Sequence, residues 1–450
     1  MTISSEHAIV KCVRRVDLPP TWRREQFSLH FLMLRDEPCG AALLEVYRWA
    51  QAQGLANARA ITPMTLLWCS LFHPRFYAAM AHEPGMAPQG RIRLTGEADD
   101  AVSLADDSAT CRFWLQSVVF LSAVTLSAAI IQGRWSHGTL ASKYDKLWRA
   151  GEIARLGAVP ELAGLELCGR VQALAAQTSA QAIDRLLAIR LLFEEVVAIL
   201  ARGVSARPVL MTPLHASDPR RARFGFIDEL REQVGGVRAI VVYGSSVSSE
   251  HFADYDLALI VDDPQSVLRA LENRCPRWNG KELNIGVYSP DEFWRMQLLS
   301  GDNLAGYGLC VYGEVQVPDK PAAALLARNL SFGMVRQRQQ LGMLCQAVAP
   351  LPDDGDDRRN LYDYFIKIPA NVVKGTFGAV GRLRPKEEVQ RWLAERCGFD
   401  TAGEQARAAA AGPALPLARS AVATGVALRT LNDELGIVRC ESNKETISHE

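Results

Sequence analysis

The chain has 450 residues, of which 48% are hydrophobic and 22% are charged, and its 50 basic residues balance 50 acidic ones. This length is enough for two or three domains with substantial cores, and the composition excludes a disordered chain or a small disulfide-stapled scaffold. A net charge of zero gives the chain no overall attraction to nucleic acid, so we do not expect long DNA or RNA as a partner.

The 10 cysteines are widely spaced, without a Cys-x-x-Cys pair or a nearby histidine at zinc-ligand spacing. Residues 1–20 lack the apolar stretch and the small-residue cleavage site of a secretory signal. We therefore expect reduced thiols and a cytoplasmic protein.

The first half of the chain is predicted to be mostly helical. Apolar residues recur at i, i+3, i+4 and i+7 in residues 42–54 and 179–203, a spacing typical of amphipathic helices. Between them, residues 82–111 mix proline, glycine and acidic residues, which predicts a long loop. Residues 1–215 should thus form a mainly helical domain, whose role the sequence does not indicate.

One uncharged segment, residues 113–131, approaches the ~20 apolar residues that a membrane span requires. Polar residues dilute it, and Arg112 and Arg134 bracket it. A buried helix in a soluble domain is therefore the favoured interpretation, with membrane association as the alternative.

After Arg221 the pattern changes to strands alternating with helices. Runs rich in β-branched residues begin at Val237, Asp256 and Glu282, and helical patterns separate them. This alternation predicts an α/β domain over residues 222–320, followed by a helical C-terminal domain over residues 321–450. The expected fold class is α+β: a small mixed sheet with helices, flanked by mainly helical domains.

The residues that carry chemistry begin where the first of these strands ends. Gly244, Ser245 and Ser246 follow the strand, and glycine there lets the backbone turn sharply and approach a ligand closely. Backbone N–H groups at such a turn, with the two hydroxyls, favour the phosphates of a nucleotide. By itself this tripeptide is more often an ordinary turn.

The next strand adds two acidic residues. Asp254 and Asp256 are two residues apart, so both carboxylates project from one face of an extended chain. Such a pair suits Mg²⁺, which prefers carboxylates together with substrate phosphates, and two ions about 4 Å apart are expected. An isolated pair of this kind is usually a solvated loop edge, but the two motifs in tandem, each at the mouth of an adjacent apolar strand, favour a site. Asp262 and Asp263, at the far end of the same strand, should instead cap the following helix.

Gly-Ser-Ser at 244–246, a spacer, and Asp-Tyr-Asp-Leu at 254–257 resemble the signature of the DNA polymerase beta-like nucleotidyltransferase superfamily. The resemblance covers residues 224–315. Members transfer a nucleoside monophosphate from a nucleoside triphosphate (NTP) to a hydroxyl, phosphate or amine and release pyrophosphate. It implies that Gly244 and Ser245 hold the triphosphate and that Asp254 and Asp256 bind the metals.

Catalytic members of the superfamily usually carry a third carboxylate on the next strand. Here the corresponding position is Asn284, which cannot act as a general base. Either Glu282 reaches the metal with its longer side chain, or the substrate supplies its own oxyanion, or activity has been lost. Glu282 is the favoured candidate.

Two further observations bear on the substrates. Lys374 is a candidate partner for the triphosphate because lysine commonly binds phosphate. Asp256-Leu257, residues 261–264 and residues 372–389 also faintly resemble the mitochondrial phosphatidate cytidylyltransferases of the same superfamily. This makes a phosphate-bearing or lipid acceptor worth testing.

The expected function is metal-dependent transfer of a nucleoside monophosphate from an NTP to a small-molecule acceptor. The alternative is a catalytically inactive nucleotide-binding or interaction protein with the same fold. The sequence has no Walker A motif, dinucleotide fingerprint, Gly-x-Ser-x-Gly elbow or His-Glu-x-x-His motif, so those enzyme classes are excluded.

Overall fold

The computed structural model describes residues 9–14, 30–55, 58–66, 91–94, 107–133, 137–155, 157–177, 181–348, 355–382, 384–436 and 438–441. The chain forms two compact units. Unit 1 comprises residues 1–113, 326–377 and 387–450, and unit 2 comprises residues 114–325 and 378–386. This division differs from the three predicted domains, because helices expected in a separate N-terminal domain share unit 2 with the α/β segment.

Strands and helices alternate irregularly along the chain. The described strands are β1 (Ile9–Arg14), β2 (His30–Leu34), β3 (Ala58–Ile61), β4 (Arg91–Leu94), β5 (Arg207–Met211), β6 (Val237–Tyr243), β7 (Asp254–Val261), β8 (Arg277–Trp278), β9 (Lys281–Tyr288), β10 (Leu309–Gly313), β11 (Val315–Asp319) and β12 (Val438–Glu441).

The described α-helices are α1 (Gly40–Ala52), α2 (Asp107–Ile131), α3 (His137–Arg155), α4 (Leu167–Ala176), α5 (Ala182–Leu200), α6 (Phe226–Gln233), α7 (Ser245–Ser248), α8 (Pro264–Ala270), α9 (Pro290–Leu299), α10 (Leu304–Tyr307), α11 (Ala322–Val348), α12 (Gly355–Ile366), α13 (Ile368–Ala379), α14 (Lys386–Cys397), α15 (Thr401–Ala411) and α16 (Ala414–Leu435). Within the described ranges, 3₁₀ helices span Pro160–Leu165 and Pro219–Phe224. The α+β class is confirmed, with far more helix than strand.

Unit 2 is built on a five-stranded mixed sheet of order β10-β6-β7-β9-β8. Strand β7 runs antiparallel to β6 and parallel to β9. The central strands are buried because their apolar residues are nearly continuous, as at residues 239–242 and 257–261. The three strands predicted from β-branched runs are thus confirmed, together with helix α6 before them, α8 between them and α9 after them.

Helix α5 packs against α3, α4 and α9 within unit 2. Its Arg190 side chain is only 5% exposed; the guanidinium contacts the carboxylates of Glu194 and Glu292 and donates to the Val287 carbonyl at 3.1 Å. Burial raises the pKa of Glu292, the Arg190 guanidinium opposes that effect, and Glu194 adds to it. Arg190 therefore joins the helices of unit 2 to the end of β9.

Among the residues that the structure describes, one helical stretch, Cys111–Ile131, is long and apolar enough to cross a membrane, and 65% of its most apolar window is buried in the protein. The carbonyls of Ile130 and Ile131 accept hydrogen bonds from the backbone N–H groups of Asn273 and Cys275, at 3.2 and 3.1 Å. Those two residues adopt positive φ values of 56° and 44°. The end of α2 is thereby capped by the loop that follows α8.

Unit 1 contains strands that the helical periodicity did not predict. Strands β1, β2 and β3 form one small sheet, and β4 pairs antiparallel with β12. The predicted loop over residues 82–111 is wrong where it is described, because residues 91–94 form β4 and α2 begins at Asp107; residues 82–90 and 95–106 lie outside the described residues. The partner of β4 lies near the other end of the chain, so no local pattern could reveal the pairing.

Candidate functional site

The ends of three neighbouring strands meet at one edge of the unit 2 sheet. Tyr243, the last residue of β6, is directly opposite Asp256 in β7, and Asp256 is directly opposite Asn284 in β9. Residues opposite one another on neighbouring strands project from the same face. The sheet therefore aligns the glycine turn at Gly244 with the polar residues at the starts of β7 (Asp254 and Asp256) and β9 (Glu282 and Asn284). These residues are called the row below.

Gly244 forms the turn with φ +76° and ψ −154°, a conformation that residues with a side chain rarely adopt. A β-carbon at this position would also overlap Oδ2 of Asp256 and would lie 3.2 Å from its Cγ. Glycine is therefore required twice, by the backbone angle and by the close approach of the carboxylate.

The two carboxylates of β7 share one face, as their spacing predicted. Asp254 and Asp256 are half-buried, whereas Tyr255 and Leu257 are buried on the opposite face. The Tyr255 ring packs edge-on against Phe226 at 5.2 Å between centroids. Shifting β7 by one residue would bury both carboxylates, so this packing fixes the carboxylate face.

The start of β9 supplies an amide and a third carboxylate. The Asn284 amide donates to Asp256, Nδ2 to Oδ1, at 2.8 Å. Glu282 lies opposite Asp254 in the parallel register, and its carboxylate is 3.4 Å from the Arg277 guanidinium. Both sequence candidates for the third-strand position thus lie in the row, and each is in contact with a protein group.

The two serines of the turn differ. Ser246 is fully buried, and its hydroxyl donates to the Tyr243 carbonyl at 3.2 Å, so this side chain faces the protein interior. The prediction that the Ser246 hydroxyl faces a nucleotide is therefore corrected. Ser245 is half-buried and remains the candidate hydroxyl of the turn.

Arg223 is a site residue that the sequence reasoning missed. Its Nη1 donates to the carbonyls of Ser246 and Ser249, at 2.8 and 3.1 Å. The guanidinium also lies over the Phe252 ring, 5.7 Å from its centroid. These contacts hold the segment between the glycine turn and β7. Several arginines stand together before α6, and no local pattern distinguishes this one.

Tyrosines border the carboxylates on the same sheet face. Burial raises the pKa of Tyr243 well above its ordinary value, and neighbouring Tyr288, Asp256, Tyr307 and Asp302 raise it further. The Tyr243 hydroxyl is therefore neutral across the physiological pH range. Strand β10 starts beside the end of β6, which places the segment before it, with Asp302 and the short helix α10 that ends at Tyr307, at this edge as well.

Lys374 lies on α13 in unit 1, whereas the row of strand ends belongs to unit 2. A contact between Lys374 and a triphosphate stays a prediction.

The residues of the row fit one hard cation. Mg²⁺ is usually held by one or two carboxylates together with substrate phosphates, and Asp254 and Asp256 supply such a pair. Across the part of the chain that the structure describes, no three His, Cys, Asp or Glu side chains are grouped to hold a metal by themselves.

No family model, no curated protein and no solved structure matches the chain.

Proposed function

We propose that the chain is a divalent-cation-dependent nucleotidyltransferase that moves a nucleoside monophosphate from an NTP to a small-molecule acceptor. The faint resemblance to phosphatidate cytidylyltransferases makes a phosphate-bearing or lipid acceptor the first class to test. In the reaction, the acceptor oxygen forms a bond to the α-phosphorus while the bond to the departing pyrophosphate breaks.

The observation that carries the proposal is the row Gly244–Asp256–Asn284 across three adjacent strands. A glycine turn against a carboxylate pair places a polyphosphate-binding backbone beside ligands for a hard cation. Neither feature would support the proposal alone, since each is common in other contexts. Their juxtaposition by strand register is what favours a nucleotide site.

Each residue of the row has a distinct role in this proposal. Gly244 lets the triphosphate approach the backbone, and the Ser245 hydroxyl donates to a phosphate oxygen. When bound, a divalent cation would supply positive charge against the phosphate oxygens, and Asp254 and Asp256 would hold it. Catalysis would then consist mainly of positioning and charge stabilisation at the α-phosphorus.

The first test is nucleotide binding, because it does not require the acceptor. The purified chain is titrated calorimetrically with α,β-methylene analogues of ATP, CTP, GTP and UTP, with Mg²⁺ and with EDTA. At least one analogue should bind only with Mg²⁺, and Asp256→Asn should weaken that binding at least about tenfold, or about 1.4 kcal/mol. Asp291→Asn is the matched control, since Asp291 is 83% exposed on α9.

The second test is transfer. The chain is incubated with Mg²⁺, α-³²P-labelled NTPs and either polar-metabolite or lipid extracts, and labelled products and pyrophosphate are measured. Labelled adducts should form with the wild type and be lost with Asp256→Asn.

The amide at Asn284 favours one competing function, nucleotide binding without catalysis, because the usual third carboxylate is missing. Mg²⁺-independent nucleotide binding that Asp256→Asn leaves unchanged, with no transfer to either extract, would establish this alternative instead.

A further inference from the structure

We infer that this site binds a single divalent cation together with the nucleotide. The Asn284 amide and the Arg277 guanidinium supply the positive charge that a second cation would otherwise bring to the carboxylates. The inference rests on the proposed function, since it concerns the cation content of the same site. It departs from the two ions that the superfamily resemblance implies.

Two cations about 3.5–4 Å apart are close enough to share a bridging carboxylate. Such a bridge presents one carboxylate oxygen to each ion. In this chain Oδ1 of Asp256 already accepts the Asn284 Nδ2–H at 2.8 Å. That hydrogen carries positive charge and points at the oxygen that a second cation would use, so it disfavours a bridge.

Gly244 restricts the same carboxylate from the other side. Oδ2 of Asp256 lies so close to the Gly244 backbone that a β-carbon there would overlap it. The carboxylate is thus fixed between the Asn284 amide and the glycine turn. It can turn toward a second ion only by giving up the amide hydrogen bond.

Glu282 is the carboxylate on β9 that could bind a second ion, and Arg277 compensates its charge. The two residues are directly opposite one another in the β8–β9 pair, with Nη2 3.4 Å from Oε1. A cation at Glu282 would have to compete with this guanidinium. Asn284 and Glu282, the two candidate positions on β9, are therefore each paired with or replaced by a protein donor, and Asp254 and Asp256 on β7 form the carboxylate pair for one ion.

Counting bound Mn²⁺ tests the inference without measuring activity. The chain is first saturated with the α,β-methylene NTP that binds best, and Mn²⁺ is then titrated into this complex. Bound ions are counted from the loss of the electron paramagnetic resonance signal of free Mn²⁺. Wild type should bind one Mn²⁺ per nucleotide complex. Asn284→Asp, which replaces the donor with a carboxylate, should bind two, and Asp256→Asn should lose Mn²⁺-dependent binding.

The outcomes separate the two proposals. Two ions in wild type would overturn the inference while leaving the proposed function intact. This count is made on the wild-type protein, so it does not require any variant to fold. One ion in both wild type and a folded Asn284→Asp would overturn the role given to Asn284. Arg277→Gln tests the role given to the Arg277–Glu282 pair. Since the Arg277 side chain is 59% exposed, the variant should fold, and it should bind Mn²⁺ more strongly than wild type. If no analogue binds with Mn²⁺, the proposed function itself fails.

Discussion

The Nδ2 of Asn284 lies 2.8 Å from Oδ1 of Asp256, as hydrogen-bond donor to the residue directly opposite it in the parallel β7–β9 pair. A hydrogen bond to a charged acceptor contributes about 1.5–3 kcal/mol. The amide therefore holds the Asp256 carboxylate in one orientation, so Asn284 is a positioning residue for a cation ligand.

Asn284→Ala should lower the affinity for the Mg²⁺–nucleotide complex by about 10- to 100-fold, because the carboxylate loses the partner that orients it. Calorimetric titration with the α,β-methylene analogue measures the change. The control is Asn279→Gly, at an exposed turn residue whose φ of 49° suits glycine. Equal affinity for wild type and Asn284→Ala would show that the amide does not position Asp256.

Gly244→Ala should reduce the free energy of unfolding by about 1–3 kcal/mol, because alanine is strained at a positive φ. It should also weaken nucleotide binding, since the new β-carbon would displace the Asp256 carboxylate. Urea unfolding and calorimetry measure the two effects. Gly235→Ala is the matched control, since a β-carbon there meets no atom within 4 Å and its φ is not positive. A Gly244→Ala protein as stable as that control would remove the argument for close packing at the turn.

Arg190→Ala should lower the free energy of unfolding by about 3–5 kcal/mol, because it leaves the buried Glu292 carboxylate without its cation. Arg170→Ala removes a surface pair with Glu195, whose side chains are 42% and 39% exposed, and should cost at most about 1 kcal/mol. Urea unfolding of both variants gives the comparison. Similar losses in the two variants would contradict a special role for the buried contact.

The buried side chain of Lys143 should make the free energy of unfolding depend on pH. Its Nζ is buried, donates to the Ser122 carbonyl at 2.8 Å and contacts the Thr125 hydroxyl. Burial, with a smaller effect of Lys146, lowers its pKa to about 7. Between this pKa and the ordinary lysine pKa of 10.5 in the unfolded chain, the unfolded state binds more protons, so the free energy of unfolding rises with pH.

The measurement is urea unfolding of wild type and Lys143→Met at pH 7.0 and pH 8.5. Over that interval wild type should gain on the order of 1–2 kcal/mol relative to Lys143→Met, which lacks the titrating group. Using the difference between the two proteins cancels the titration of other groups. A difference that stays constant with pH would show that the Lys143 ammonium is not destabilised by burial.

Features set by local alternation could be predicted from the sequence. The β-branched runs predicted β6, β7 and β9, and the period of two placed Asp254 and Asp256 on one face. The prediction that Asp262 caps α8 is wrong, because its carboxylate pairs with Arg238 at 2.6 Å. Asp263 does cap α8 as predicted, accepting from the backbone N–H groups of Gln265 and Ser266. Each of these depends only on residues a few positions apart.

Pairing between distant segments was decided by the tertiary structure. The periodicity of the first half predicted helices but missed the sheet of β1, β2 and β3, and the strand β4 has its partner β12 near the other end of the chain. Short strands carry little local signal, because the hydrogen bonds that define them are made by the partner strand.

The candidate site shows the same division. The sequence by itself determined the glycine turn and the carboxylate pair, because both arise from short, local spacings. Only the tertiary structure decided that Asn284 faces Asp256, that Ser246 turns inward and that Arg223 holds the turn. The physical reason is that strand register and side-chain burial depend on which segments pack together, and that is a property of the whole unit rather than of any short window of residues.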